Sequence, residues 1–273
     1  MQTKLLGHRG CPLNYPENTL VSFDNACFKY GGDGVELDVF CSSDGNLVVF
    51  HGGGSDSNAG DVAELCYGMG NIQEMTLEEI QSLALKESAY ACPASVFVAE
   101  MTEEKAHHYR IPTLREVLLH FKNVNTHKLV NIEIKGPVGT CEQLVFELIE
   151  EIDFPLDQFE ISSFNTDSVI QMKAIAPSFN VVLLLNKSVP ENYISQAIEM
   201  KAHQVGFRYD LVTSDHVHQC HSHNLKVMAW FRSPSTMKEL EVDEREMLVK
   251  LIEMKVDVII SNEVNSFDEL KRT

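Results

Sequence analysis

At 273 residues, with 44% hydrophobic and 23% charged positions, the chain is long enough to bury an ample core as one large α/β domain or two small ones. Its 22 basic residues stand against 40 acidic ones, a net charge of -18 whose field repels polyphosphate and anionic membrane, so no nucleic-acid partner is expected. No apolar run approaches the roughly 20 residues of a spanning helix, and seven scattered cysteines without a Cys-x-x-Cys pair read as free thiols in a reducing compartment.

The first strand is expected near Lys4 to Gly7, which leaves no room for a signal peptide and points to a cytoplasmic protein. It ends in Gly7-His8-Arg9-Gly10, and a loop through Pro12 and Pro16 leads to Glu17-Asn18-Thr19. Leu20, Phe23, Cys27 and Tyr30 then follow helical spacing until Gly31-Gly32 stops the helix. Gly34 to Val39 reads as the second strand, extended as a hairpin through Asp44-Gly45 and returning along Asn46 to His51. A two-residue Asp-Gly turn sets Ser43 opposite Asn46, Cys41 opposite Val48 and Asp38 opposite His51. Glu36, Asp38 and His51 then share one face, either as a metal and acid/base site or as the solvated face of an acidic hairpin.

From Gly52 to about Arg110 the pattern weakens and reads as an insertion carrying one short helix behind Thr76-x-x-Glu79. Gly52-Gly53-Gly54 lacks the Gly-Lys-Ser/Thr of a nucleotide phosphate loop. Regularity returns at a second capping box, Thr113-x-x-Glu116. Strands are expected near Leu129 to Lys135, Gln158 to Ser163, Asn180 to Leu185, Gln204 to Phe207, Lys226 to Phe231 and Asp257 to Ser261, with helical patterns between them. Without the returning arm of the hairpin this makes eight strands, each but the last followed by a clear helix candidate. The expected fold is therefore an α/β (β/α)8 TIM barrel over residues 1–273, with a hairpin extension of strand two and a small insertion, at about 52–110, before strand three. A doubly wound open sheet is the alternative, but its glycine-rich first turn is missing.

Barrels of this kind place chemistry at the C-terminal ends of their strands, which selects His8, Arg9, Glu36, Asp38, Glu133, Lys135 and Trp230. These stretches, with Pro16-Glu17-Asn18-Thr19, Val48-Val49-Phe50-His51, Ile111-Pro112-Thr113-Leu114 and Ile132-Glu133-Ile134-Lys135, resemble the glycerophosphodiester phosphodiesterase family in the same order. The resemblance implies a barrel enzyme that hydrolyses a small glycerophosphodiester to glycerol 3-phosphate and an alcohol with one divalent cation. By the same motifs Glu36, Asp38 and Glu133 become the metal ligands, and three oxygen ligands suit Mg²⁺ or Ca²⁺. Arg9 and Lys135 would hold the phosphoryl group, which gives an acidic protein its local cationic pocket.

His8 and His51 match the family's acid/base pair, with His51 as base and His8 as acid, or the reverse. Glu17 and Asn18 fall into supporting roles, Asn18 equally as a helix cap. Trp230 reads as a wall for the glycerol moiety or as core. Two positions depart from the family: Gly52 stands where an Asp usually follows the second histidine, and Ser261-Asn262 where Thr-Asp is common. Rival readings are a lysophospholipase D or sphingomyelinase D-like activity on the same scaffold, and a non-catalytic glycerophosphodiester-binding barrel. The cluster His216, His218, Cys220, His221 and His223 is read as an ordinary polar helix surface, and the acidic run Glu239 to Glu246 as solvated surface.

Overall fold

The computed structural model describes residues 2–52, 60–86, 109–124, 127–232 and 243–271. In chain order, β1 (Lys4–Gly7) leads to α1 (Leu20–Asp24), which continues as a π-helical turn over Asn25–Lys29, and then to β2 (Gly34–Cys41) and β3 (Leu47–Val49). A small pair, β4 (Cys66–Tyr67) and β5 (Ala84–Leu85), encloses α2 (Leu77–Gln81). Regular alternation follows: α3 (Leu114–Asn123), β6 (Leu129–Ile134), α4 (Thr140–Ile152), β7 (Phe159–Ser163), α5 (Thr166–Ile175), β8 (Val181–Leu185), α6 (Tyr193–Glu199) and β9 (Gln204–Arg208). The chain continues through α7 (Ser214–Ser222), β10 (Lys226–Trp230), α8 (Glu244–Glu253), β11 (Val258–Ser261) and a single-turn α9 (Phe267–Leu270).

Eight parallel strands close into a barrel in the order β1, β2, β6, β7, β8, β9, β10, β11 and back to β1, while β3 lies antiparallel on the far end of β2. Side chains alternate across each strand, so each strand feeds two cores. Leu6, Leu129, Val182, Leu184, Met228, Val258 and Ile260 meet inside the barrel, joined by Phe164 and Trp230 near its top. Residues at the alternate strand positions, among them Leu5, Val35, Val130, Ile161, Val205 and Ile259, face outward under the helices. Both capping boxes form: Thr76 and Thr113 accept from the N–H groups of Glu79 and Glu116, and each glutamate returns the bond.

The hairpin differs from expectation by one residue. Val39 pairs with Val49, Phe40 with Val48 and Cys41 with Leu47, so Cys41 does not face Val48 and Ser43 does not face Asn46. Ser42 is the residue that closes on Asn46, its N–H donating to the Asn46 carbonyl at 2.9 Å, and Gly45 sits at φ 81°. The loop is therefore three residues, Ser43-Asp44-Gly45, with the glycine in the left-handed conformation that such loops require. Asp44 explains the choice. Its carboxylate accepts from the Ser42 hydroxyl at 2.6 Å and from the Leu77 N–H at 3.1 Å, tying the turn to the start of α2. In this register Asp38 lies opposite Phe50, whose N–H donates to the Asp38 carbonyl at 3.0 Å, and not opposite His51.

Candidate active site

Asp38 points into the barrel from β2 and is fully buried, and its neighbour across the ladder to β6 is Glu133. Glu36, two residues earlier on the same face, completes a triad whose carboxylate oxygens lie within 4.8 Å of one another. Among the described residues this is the one grouping of three or more such ligands. Three buried carboxylates repel one another, and burial adds to that repulsion. Burial, then Asp38 and Glu133, push Glu36 well above the usual carboxylate range, and burial raises Glu133 to about 7.

Two cations answer them. Arg9, from the loop after β1, donates to both oxygens of Glu17 through Nη1, at 3.0 and 3.2 Å, and sets Nε 3.0 Å from Asp38 Oδ2. Its backbone N–H donates to Glu36 at 3.0 Å. Lys135, one residue past β6, places Nζ 2.5 Å from Glu133 Oε1 and 3.4 Å from Asp38 Oδ1. Burial would raise Asp38, but Arg9 and Lys135 hold it below its ordinary value. Burial would likewise lower Lys135, yet Glu133 and Asp38 raise it to about 12. Asn18 donates from Nδ2 to Asp38 Oδ2 at 3.0 Å, while the helix α1 is capped by Thr19. Asn18 is thus a partner of the cluster and not the cap. Arg9 and Asn18 both hold left-handed backbones, at φ 53° and 56°, a strained conformation for such residues.

The two imidazoles flank this cluster. His8 places Nε2 3.8 Å from Glu36 Oε2 and Nδ1 2.9 Å from Asn262 Oδ1. His51 lies within electrostatic reach of Arg9, Asp38 and Lys135, with Nδ1 2.8 Å from the Gly52 carbonyl. His51 arrives by a different route from the one its sequence register implies. β3 ends at Val49, and the chain turns out of the ladder at Gly52, φ 73°. A side chain at Gly52 would meet the Asp61 carbonyl oxygen at 2.3 Å, so this glycine replaces the expected carboxylate with backbone that only glycine supplies. Since a carbonyl only accepts, His51 carries its proton on Nδ1. Burial, then Arg9, lowers each imidazole to about 3.

Buried Glu36, Asp38 and Glu133 and half-buried Glu17 face two fixed cations, so the cluster with all four ionised has two negative charges in excess, the charge a divalent cation neutralises. Among the described residues Glu36 Oε1 is buried without a hydrogen-bond partner, while Glu133 Oε1 and Asp38 Oδ1 share the Lys135 ammonium. Hard oxygens in an oxygen-only set fit Mg²⁺ or Ca²⁺. Trp230 closes one side, edge-on to Phe164 at 5.2 Å, and its buried indole N–H has no partner among the described residues. The Lys135 ammonium lies 5.5 Å from the Phe164 ring centre. Phe164 directly follows β7, where the strand-end rule could have found it.

Every site residue drawn from the sequence is therefore in one place, and one expectation elsewhere changes. Glu244, from the run expected to be solvated, is buried and bonded to Asn262, while Glu239 to Val242 lie outside the described residues. The histidines of α7 are spent separately: His216 stacks on Phe207, His221 pairs with Asp257 and His223 bonds the Gln219 carbonyl. His107 and His108 lie outside the described residues. The six described cysteines are buried, and no described helix is long and apolar enough to cross a membrane.

Comparison with known proteins points the same way. Residues 8–266 match the model of the Glycerophosphoryl diester phosphodiesterase family. A glycerophosphodiester phosphodiesterase of Caldanaerobacter subterraneus is 32% identical over 277 residues, covering 100% of this chain and 99% of its own. Among solved structures, an Oleispira antarctica phosphodiesterase in complex with the product sn-glycerol-3-phosphate superposes with a TM-score of 0.77 at 21% identity, over 100% of this chain and 98% of that one. A Thermotoga maritima glycerophosphodiester phosphodiesterase gives 0.67 at 24%, over 99% of both. At those identities the structures speak for the TIM-barrel fold. Because the family match runs from the end of the first strand to the last helix, and the Caldanaerobacter relative aligns end to end, this chain belongs to the glycerophosphoryl diester phosphodiesterase family.

Proposed function

We propose that the chain, as one barrel domain over 1–273 with its insertion at about 52–110, hydrolyses small glycerophosphodiesters to glycerol 3-phosphate and an alcohol at the cluster around Asp38. The observation that carries this reading is the buried Glu36, Asp38 and Glu133 triad set beside two imidazoles, each with Nδ1 held by an oxygen. The three carboxylates would hold one divalent cation, Mg²⁺ or Ca²⁺, which supplies charge to a phosphoryl oxygen when bound. The glycerol phosphate named in the Oleispira complex is the product expected here.

Lys135 supplies a fixed positive charge at the phosphoryl group, and Arg9, held by Glu17 and Asp38, presents its remaining guanidinium edge. Asn18 holds Asp38 in place, and Trp230 lines the glycerol side with Phe164. With Nδ1 protonated, a neutral imidazole accepts at Nε2. His51 Nε2 takes the proton of the attacking hydroxyl, the substrate's own or that of water, and His8, after its bare Nε2 has taken up a proton from solvent with Nδ1–H still on Asn262, passes that proton to the leaving oxygen, or the two exchange roles. A cytoplasmic setting suits the buried thiols of Cys27, Cys41, Cys66, Cys141 and Cys220.

Turnover of glycerophosphocholine with Mg²⁺ or Ca²⁺ should fall at least about a hundredfold in His8→Ala and in His51→Ala. Activity within a few-fold of the parent in either variant overturns the acid/base assignment. Turnover of lysophosphatidylcholine in place of glycerophosphocholine would assign the scaffold to the lysophospholipase D type of reaction, and binding without turnover would make it a binding barrel.

A further inference from the structure

His8 is held from outside the acidic cluster by hydrogen bonds that run to the outer layer of the barrel. Asn262, the first residue after β11, is fully buried with Oδ1 2.9 Å from His8 Nδ1. Its Nδ2 donates to the Arg232 carbonyl at 2.7 Å and to Glu244 Oε1 at 2.8 Å. A carbonyl and a carboxylate accept, so the amide nitrogen must face them and the amide oxygen must face the imidazole. That oxygen has no proton to give. His8 therefore carries its own proton on Nδ1, and the Nε2 lone pair looks towards Glu36.

Glu244 is the unusual member. It comes from the first turn of α8, is 8% exposed, and its other oxygen accepts from the Ser261 hydroxyl at 2.9 Å and the Asn262 N–H at 3.1 Å. Among the described residues, its donors are the Ser261 hydroxyl, the Asn262 amide and backbone N–H groups, none of them a charged side chain. A buried carboxylate held by neutral donors is costly, and docking α8 against β11 could be done by apolar side chains. What an apolar contact could not do is dictate which way an asparagine points.

We propose that Asn262 and Glu244 are positioning residues that fix the His8 tautomer: Glu244 orients the Asn262 amide, and the amide oxygen keeps the imidazole proton on Nδ1 and Nε2 free for the reacting atoms. This rests on the reading that His8 moves a proton in phosphodiester hydrolysis. A role in docking alone would lower stability without touching the tautomer.

The test is ¹⁵N NMR of the full chain with ¹⁵N-labelled histidine, the His8 signals being those lost in His8→Gln. Wild type should show His8 protonated at Nδ1 and bare at Nε2. Asn262→Leu should lose that preference and at least about tenfold in kcat, with KM for glycerophosphocholine within about twofold. The double variant Asn262→Asp with Glu244→Gln exchanges donor and acceptor between these two side chains, giving up the bond to the Arg232 carbonyl, and should recover the tautomer and more of kcat than Asn262→Leu keeps. Wild-type His8 protonated at Nε2 overturns the inference, and this readout needs no variant to fold. Asn262→Leu with unchanged tautomer and kcat also overturns it. If instead His8→Ala stays within a few-fold of wild type, the catalytic reading fails while the tautomer result stands on its own.

Discussion

The polar side chains of the cluster are unevenly shared between partners, and that unevenness decides what single substitutions do. Asp38 is held by Arg9, Lys135 and Asn18 together, so its charge is kept without an ion. Among the described residues Lys135 is the one cation in ion-pair distance of Glu133, and burial leaves Glu133 near 7. Glu133→Gln keeps the shape and removes one anionic ligand, leaving Lys135 to Asp38. The expected result, read by calorimetry at pH 8, is Mg²⁺ or Ca²⁺ affinity at least about tenfold weaker than in the parent. Equal affinity would remove Glu133 from the ligand set.

The hairpin carries its specification in two glycines that act differently. Gly45, at φ 81°, faces open space, so Gly45→Ala strains only the backbone of the turn. It should cost about 1 kcal/mol of stability with kcat near wild type. Gly52 holds the same sign of φ, 73°, but a Cβ there would strike the Asp61 carbonyl, and its own carbonyl holds His51. Gly52→Ala should therefore lower kcat at least about tenfold as well as stability, because relief of the clash moves His51. Chemical denaturation beside steady-state kinetics separates the two, and a Gly52→Ala enzyme with full kcat would show that His51 is held by something else.

For the whole molecule, the cluster makes stability depend on acidity. Both imidazoles are lowered to about 3 by burial and Arg9, whereas the unfolded chain protonates its histidines near 6.5. Between those values the unfolded state binds more protons. The contribution is thus complete above pH 6.5 and declines as pH falls, by about 1.4 kcal/mol per pH unit for each histidine. Glu36 and Glu133, raised by burial, work in the opposite sense over part of that range. The measurable quantity is therefore a difference: in chelator-treated protein, His51→Ala should lose less stability between pH 6.5 and 5 than the parent. A parallel loss in both would mean that His51 is protonated in the folded state.

The eight barrel strands were legible in the sequence to within about a residue, because a strand buried on both faces must be apolar almost throughout and its ends are marked by polar or glycine residues. The carboxylates were legible too, since period-two alternation puts Glu36 and Asp38 on one face and the barrel rule brings Glu133 beside them. Long-range contacts decided the rest. The turn at Asp44 takes three residues because its carboxylate finds Ser42 and the start of α2, partners that an Asp-Gly pair does not announce. His51 enters the site by leaving its strand, and Glu244 is buried because Asn262, 18 residues away, offers it donors. Alternation along a strand is set by local backbone geometry and so belongs to the sequence itself, whereas the register of a turn and the burial of a charge are set by whichever partner the closed barrel brings near.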